Sequence, residues 1–145
     1  MEIEQLRLIV SEQDLSLLAR KHLLKNASVE DLEIHILPEG VRIKGVYSMI
    51  VPVSFEVLWK PAIESGKATA RLESFRAMGM PANVLKSLIM NVIEDAVEKE
   101  PWLQVKDDVI QADVDGLLRK RGFDARTHLQ SIQCEVGNLI IEAGP

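Results

Sequence analysis

PANVLKSLIMNVIEDAVEKEP, residues 81–101, is the stretch on which the fold turns. Pro81 and Pro101 bracket it. Proline suits a helix's first turn, where its missing N–H has no partner to lose, and it is excluded from the interior. Between the prolines the apolar residues fall in two rows spaced by four: Val84, Leu88, Val92, Ala96 and Leu85, Ile89, Ile93, Val97. At 100° per residue these positions sweep about 220°, against little more than about 100° for an ordinary surface helix. The spacing predicts an apolar helix from Ala82 to Lys99, covered on two sides by a curved sheet, a second layer or a partner. Ser87, Asn91, Glu94, Asp95 and Glu98 fill its solvated arc, and Glu100 reads as a solvated carboxylate at its end.

Strand patterns precede this helix. Leu32, Ile34 and Ile36 alternate with polar residues, Pro38-Glu39-Gly40 makes a turn, and Val41 to Val46 returns as a hairpin partner. Met49, Val51, Val53, Phe55, Val57 and Trp59 then share one face of a longer strand, bulged or at an edge where Pro52 lacks its N–H. Lys60 to Gly66 reads as a loop and Lys67 to Ala77 as a fourth strand, which makes an antiparallel meander. At the N-terminus Leu6, Leu8 and Val10 form a short strand. Ser11 and Asp14 cap a helix running to about Lys25, with Leu15, Leu18, Ala19, His22 and Leu23 on one face and Asn26 and Ser28 closing it.

After Trp102 come two short strands joined at Asp107-Asp108. Asp113 then caps a small helix, Val114 to Arg121, which Gly122 closes. Thr127 to Cys134 and Leu139 to Ala143 form a last hairpin around Gly137-Asn138. The expected fold is α+β: one domain, residues 1–145, with a curved antiparallel sheet (meander plus C-terminal hairpin) wrapped on one long apolar helix.

Composition bounds the function. The 145 residues fit one domain and bury a core without disulfide or metal. Aromatics number only six, so that core is aliphatic. A net charge of −5 disfavours nucleic acid and anionic lipid, since both reward basic surfaces. Cys134 is the one cysteine, which removes intrachain disulfides and cysteine zinc sites. No apolar run reaches 18 residues and Met1 opens no leader pattern, so the expectation is a cytoplasmic protein without a membrane-spanning segment.

No phosphate loop, dinucleotide fingerprint, nucleophile elbow or zinc-protease helix is present, and no cofactor is expected. His22, His35 and His128 lie on three separate elements without ligand spacing. Asp107, Asp108, Asp113 and Asp115 suit a turn and a helix N-terminus as well as they suit a divalent cation. Arg119, Lys120, Arg121 and Arg126 form a basic cluster that either complements a helix C-terminus or holds an anion. Met49, Met78, Met80 and Met90 either fill core gaps or line an adaptable apolar surface, Met-Gly-Met-Pro at 78–81 standing at the mouth of the long helix.

The element order, with LPEGVRIKGVY at 37–47 and VGNLIIEA at 136–143, resembles the LmeA-like phospholipid-binding proteins of the tubular lipid-binding type. That resemblance implies an acyl chain held between a long helix and a curved sheet, and no catalytic residue. The chain departs from it in lacking an export signal and in carrying the small helix at 114–121. On these grounds the expected function is non-enzymatic binding of an apolar or lipid-like ligand. The ligand would lie beside Leu85, Ile89 and Ile93, opposite Phe55, Val57 and Trp59, with Arg119 or Arg126 near a polar head. The alternative is an interaction module that uses the second apolar side of the helix, or the sheet edge near Pro52, for a homodimer or partner contact.

Overall fold

The computed structural model describes residues 5–22, 28–124 and 126–144, His22 by its backbone alone. Within them the chain runs β1 (Leu6–Ser11), α1 (Glu12–His22), β2 (Val29–Leu37), β3 (Gly40–Tyr47), β4 (Val53–Glu64), β5 (Lys67–Ala77), α2 (Ala82–Val97), β6 (Leu103–Lys106), β7 (Val109–Ala112), α3 (Val114–Lys120), β8 (Leu129–Glu135) and β9 (Asn138–Ala143). The expected meander is present as β2 to β5. It continues through β7 to β6, giving a six-stranded sheet of order β2-β3-β4-β5-β7-β6, antiparallel at every pairing. The last hairpin does not join that sheet. It pairs with β1 to make a second sheet of order β1-β9-β8, and β8 lies against β4.

The organising element is therefore sheet, and the expectation of a sheet wrapped on one long apolar helix is overturned. About half of the described residues are in strands and a quarter in three short helices. α2 has 16 residues, stops at Val97 rather than Lys99, and lies along β5 and β6. Its buried residues are Leu85, Ile89, Met90, Val92, Ala96 and Val97. These span about 160° on the helical wheel. Val84, at one limit of the expected arc, is 46% exposed. Periodicity shows which faces a helix can bury, whereas what covers them depends on contacts distant in sequence. Here β5 and β6 lie along the helix, and the second sheet packs against β4 and β2 instead.

Two boundaries moved as well. β4 begins at Val53, so Met49, Ile50 and Val51 belong to the preceding loop, and Pro52 stands outside the strand. At its other end β4 continues to Glu64, where a loop was expected from Lys60. Pro61 is tolerated because β3 pairs only as far as Trp59, which leaves the side of Pro61 facing away from β5 without a ladder to break. The strand's irregularity lies instead between Leu58 and Trp59.

One buried cluster joins the layers. Val53, Phe55, Val57 and Trp59 of β4 meet Ile34 and Ile36 of β2, Ala19 of α1, and Leu85, Ile89, Met90 and Val92 of α2. Leu139 and Cys134 of the second sheet pack against them. The Phe55 and Phe75 rings stack with centroids 6.1 Å apart. Gly45 leaves room for this: a Cβ there would sit 2.7 Å from the Phe55 ring.

α1 opens with the expected reciprocal cap. Ser11 N–H donates to Asp14 Oδ2 at 2.9 Å, and Asp14 N–H to Ser11 Oγ at 3.1 Å. The expected end near Lys25, including Leu23 and Asn26, lies outside the described residues. Glu12 ties the helix to the edge strand β2. Its carboxylate accepts the Ile36 N–H at 2.7 Å, its own N–H donates to the Gly137 carbonyl, and Gly137 N–H donates to the Ile36 carbonyl. Both outward backbone groups of the fully buried Ile36 are thus satisfied.

Candidate functional site

Two loops meet at one end of the six-stranded sheet. The first, residues 48–52, joins β3 to β4, and Tyr47 and Val53 at its ends are a cross-strand pair. The second, residues 78–81, joins β5 to α2. Met78 N–H donates to the Ser54 carbonyl at 3.0 Å, which brings this loop against the start of β4. Ser48 N–H donates to the Ser28 carbonyl at 2.6 Å and anchors the other side. Pro81 then starts α2 from the N-cap position, its carbonyl accepting from Val84 and Leu85.

The side chains presented here are apolar and wet. Ile50 is 104% exposed, Met78 74%, Val51 67% and Met49 47%. No charged residue occurs between Lys44 and Glu56 or between Arg76 and Lys86, so both loops and their flanks are uncharged in a chain that is 27% charged. Scattered exposed hydrophobics are ordinary, but several brought together from two loops form a patch that favours apolar contact. The tip also leads inward. Met80, half-buried, packs against the cluster that holds Leu85, Val53 and Phe55. Met80 and Val53 stand two residues on from the exposed Met78 and Val51 in their own segments. Of the four methionines read from the sequence, Met49 and Met78 are surface, Met80 is intermediate and Met90 is core. The alternation that set Met49 and Val51 on one face with Val53 concealed their exposure. The charge-free spans were the readable signal.

The residues expected to line a ligand divide into two groups. Leu85, Ile89, Phe55, Val57 and Trp59 lie in the one buried cluster, each 0–5% exposed, and Ile93 packs against it half-buried. Arg119 and Arg126 lie outside that cluster. Arg119, on α3, reaches Asp113 at 3.7 Å, and Arg126 is exposed beyond α3. The acidic residues serve turns and caps: Asp113 accepts from Gly116 N–H, Asp115 accepts both Thr127 N–H and Oγ, and Asp108 pairs with Lys86 at 2.6 Å. Among the described residues no group of His, Cys, Asp and Glu is placed to hold a metal ion. Burial pushes the Cys134 thiol above its ordinary pKa, which keeps it protonated.

One charged residue departs from the sequence-based expectation. Glu100, expected in solvent, is only 4% exposed. Trp102 Nε1 donates to its Oε2 at 3.0 Å, Lys120 Nζ pairs with the same oxygen, and Lys21 Nζ lies 3.8 Å from Oε1. The carboxylate thus joins α1, the turn after α2, and α3. A Glu three residues beyond a helix gives no periodic signal of burial. What draws it inside is the arrival of two lysines from elements distant in sequence.

No helix among the described residues is long and apolar enough to cross a membrane. No family model matches the chain, and neither the curated proteins nor the solved structures yield a match.

Proposed function

We propose that this chain is a non-enzymatic binder of a lipid-like ligand, which it meets at the uncharged tip formed by residues 48–52 and 78–81. The observation that carries the reading is the pair of charge-free loops that expose Met49, Ile50, Val51 and Met78, next in the chain to Met80, Val53 and Phe55 of the buried cluster and its margin. Fully burying one such side chain is worth about 1.5–3 kcal/mol, so several together offset much of the cost of association. Thioethers suit the role, because methionine adapts to irregular apolar shapes. An acyl tail entering here would pass Met80 and part the apolar contact between α2 and β4, alongside Leu85 and Ile89 on one side and Val57 on the other. Arg119 and Arg126 have no part in this reading. With a net charge of −5, the affinity rests on apolar contact and favours zwitterionic over anionic headgroups.

Titration with a dansyl-labelled fatty acid tests the proposal, together with native mass spectrometry of the purified protein. Saturable fluorescence enhancement, reversed by oleate, is expected from a monomer. A homodimer that takes up no fatty acid would overturn the reading in favour of contact between copies.

A further inference from the structure

A second surface lies at the other end of α2, about 24 Å along the helix from the tip. There a groove of about 800 Å³ follows β6, the outermost strand of the six-stranded sheet. Its lining comes from both faces of that edge. Gln104 and its cross-strand partner Gln111 belong to one face, while Leu103, Val105 and, from α2, Val97 belong to the other. The concavity therefore runs round the edge of β6 and not merely over one face of the sheet.

The edge is open in hydrogen-bonding terms. Asp107 and Asp108, with φ of 51° and 63°, form a two-residue turn between β6 and β7. Such a turn makes Lys106 and Val109 the pair that exchanges hydrogen bonds, so the next pair, Val105 and Ile110, does not. Val105 directs its N–H and C=O away from β7, and among the described residues neither group has a partner. The groove also carries a charge bias: four carboxylates, Glu64, Glu94, Glu98 and Asp107, against Arg71 and Lys106. Glu64 and Arg71 satisfy each other at 3.2 Å, which leaves three acids facing one cation.

We infer that β6 accepts an extended peptide bearing Lys or Arg at alternate positions, added as a further strand of the sheet. Backbone bonding to Val105 supplies the pairing, the basic residues lie on the α2 side of the added strand and face Glu94 and Glu98, and the residues between them lie over the face of Gln104. The volume lies within the range of about 300–1,000 Å³ typical of ligand sites. This inference is independent of the tip.

The probe is the blocked peptide Ac-Lys-Val-Lys-Val-Lys-NH2, titrated into ¹⁵N-labelled protein, with the Glu-for-Lys analogue as the control. The Val105 amide proton is expected to move downfield and gain exchange protection with the basic peptide only. Leu103 N–H, also outward, donates to the Glu100 carbonyl, so Val105→Pro removes the outward N–H left for a peptide while sparing the bonds to β7, and should weaken binding at least tenfold. Glu94→Gln with Glu98→Gln should weaken it several-fold at low salt, with the difference shrinking at high salt. Equal response to both peptides, no Val105 shift at millimolar peptide, or wild-type affinity in both variants would overturn the inference. If Val105→Pro fails to fold, the charge variants and the analogue decide it.

Discussion

Replacing Glu100 by alanine tests whether the buried carboxylate holds α1 and α3 to the turn after α2. The side chain is 4% exposed and engages Trp102, Lys120 and Lys21. Stranding the charged partners of a fully buried pair costs about 3–5 kcal/mol. Here the lysine side chains are 45% and 62% exposed, so both re-enter water easily and most of that penalty is relieved. What remains is the Trp102 N–H without its acceptor, worth about 1–3 kcal/mol, together with lost ion-pair attraction. The expected destabilisation is about 2–3 kcal/mol. In urea, with m near roughly 2 kcal/mol/M, the midpoint should fall by about 1–1.5 M at unchanged m. Glu100→Gln keeps an acceptor for the indole and should cost about half as much. A Glu100→Ala change within about 0.5 kcal/mol of wild type, as for an ordinary surface substitution, would refute the buried role.

The core makes further demands. Leu85→Ala removes a side chain with no exposure and should cost about 2–5 kcal/mol, read as a fall in thermal midpoint. Gly45→Ala drives a methyl against the Phe55 ring and should cost about 1–3 kcal/mol, with a changed near-ultraviolet signal from the displaced aromatic pair. Cys134 should react with a disulfide reagent more slowly than a free thiol at mildly alkaline pH. Its folded pKa lies above the unfolded one. Its contribution to stability is therefore complete below the unfolded pKa and is lost as pH rises through the folded value, a loss that Cys134→Ala should remove from the alkaline unfolding curve.

Features set by neighbours in sequence were legible. The Ser11–Asp14 cap, the turn at Pro38-Glu39, the Asp107-Asp108 turn and the Asp113 cap each follow from a few adjacent residues, and each is present. Features set by distant pairing were not. β1 pairs with β9 from the opposite end of the chain, and this draws the last hairpin into a second sheet that no local pattern announces. The same remoteness hid Glu100, whose lysines come from α1 and α3. Lys60 to Gly66 reads as a loop in sequence, yet β4 runs through Pro61 to Glu64, because what Pro61 lacks would matter only if β3 paired beyond Trp59. At the candidate site the uncharged spans were visible in sequence. That Ile50 and Met78 stand in water at one end of the sheet required the strand boundaries.

The most direct test of the tip is sedimentation with phosphatidylcholine vesicles, comparing wild type with the double variant Ile50→Asp, Met78→Asp. Both side chains are largely exposed, so the substitutions should leave folding stability almost untouched. Losing their burial in lipid removes at least about 3 kcal/mol, a reduction in vesicle partitioning of roughly 100-fold. Equal partitioning of the two proteins, or no partitioning of the wild type at millimolar lipid, would contradict the account.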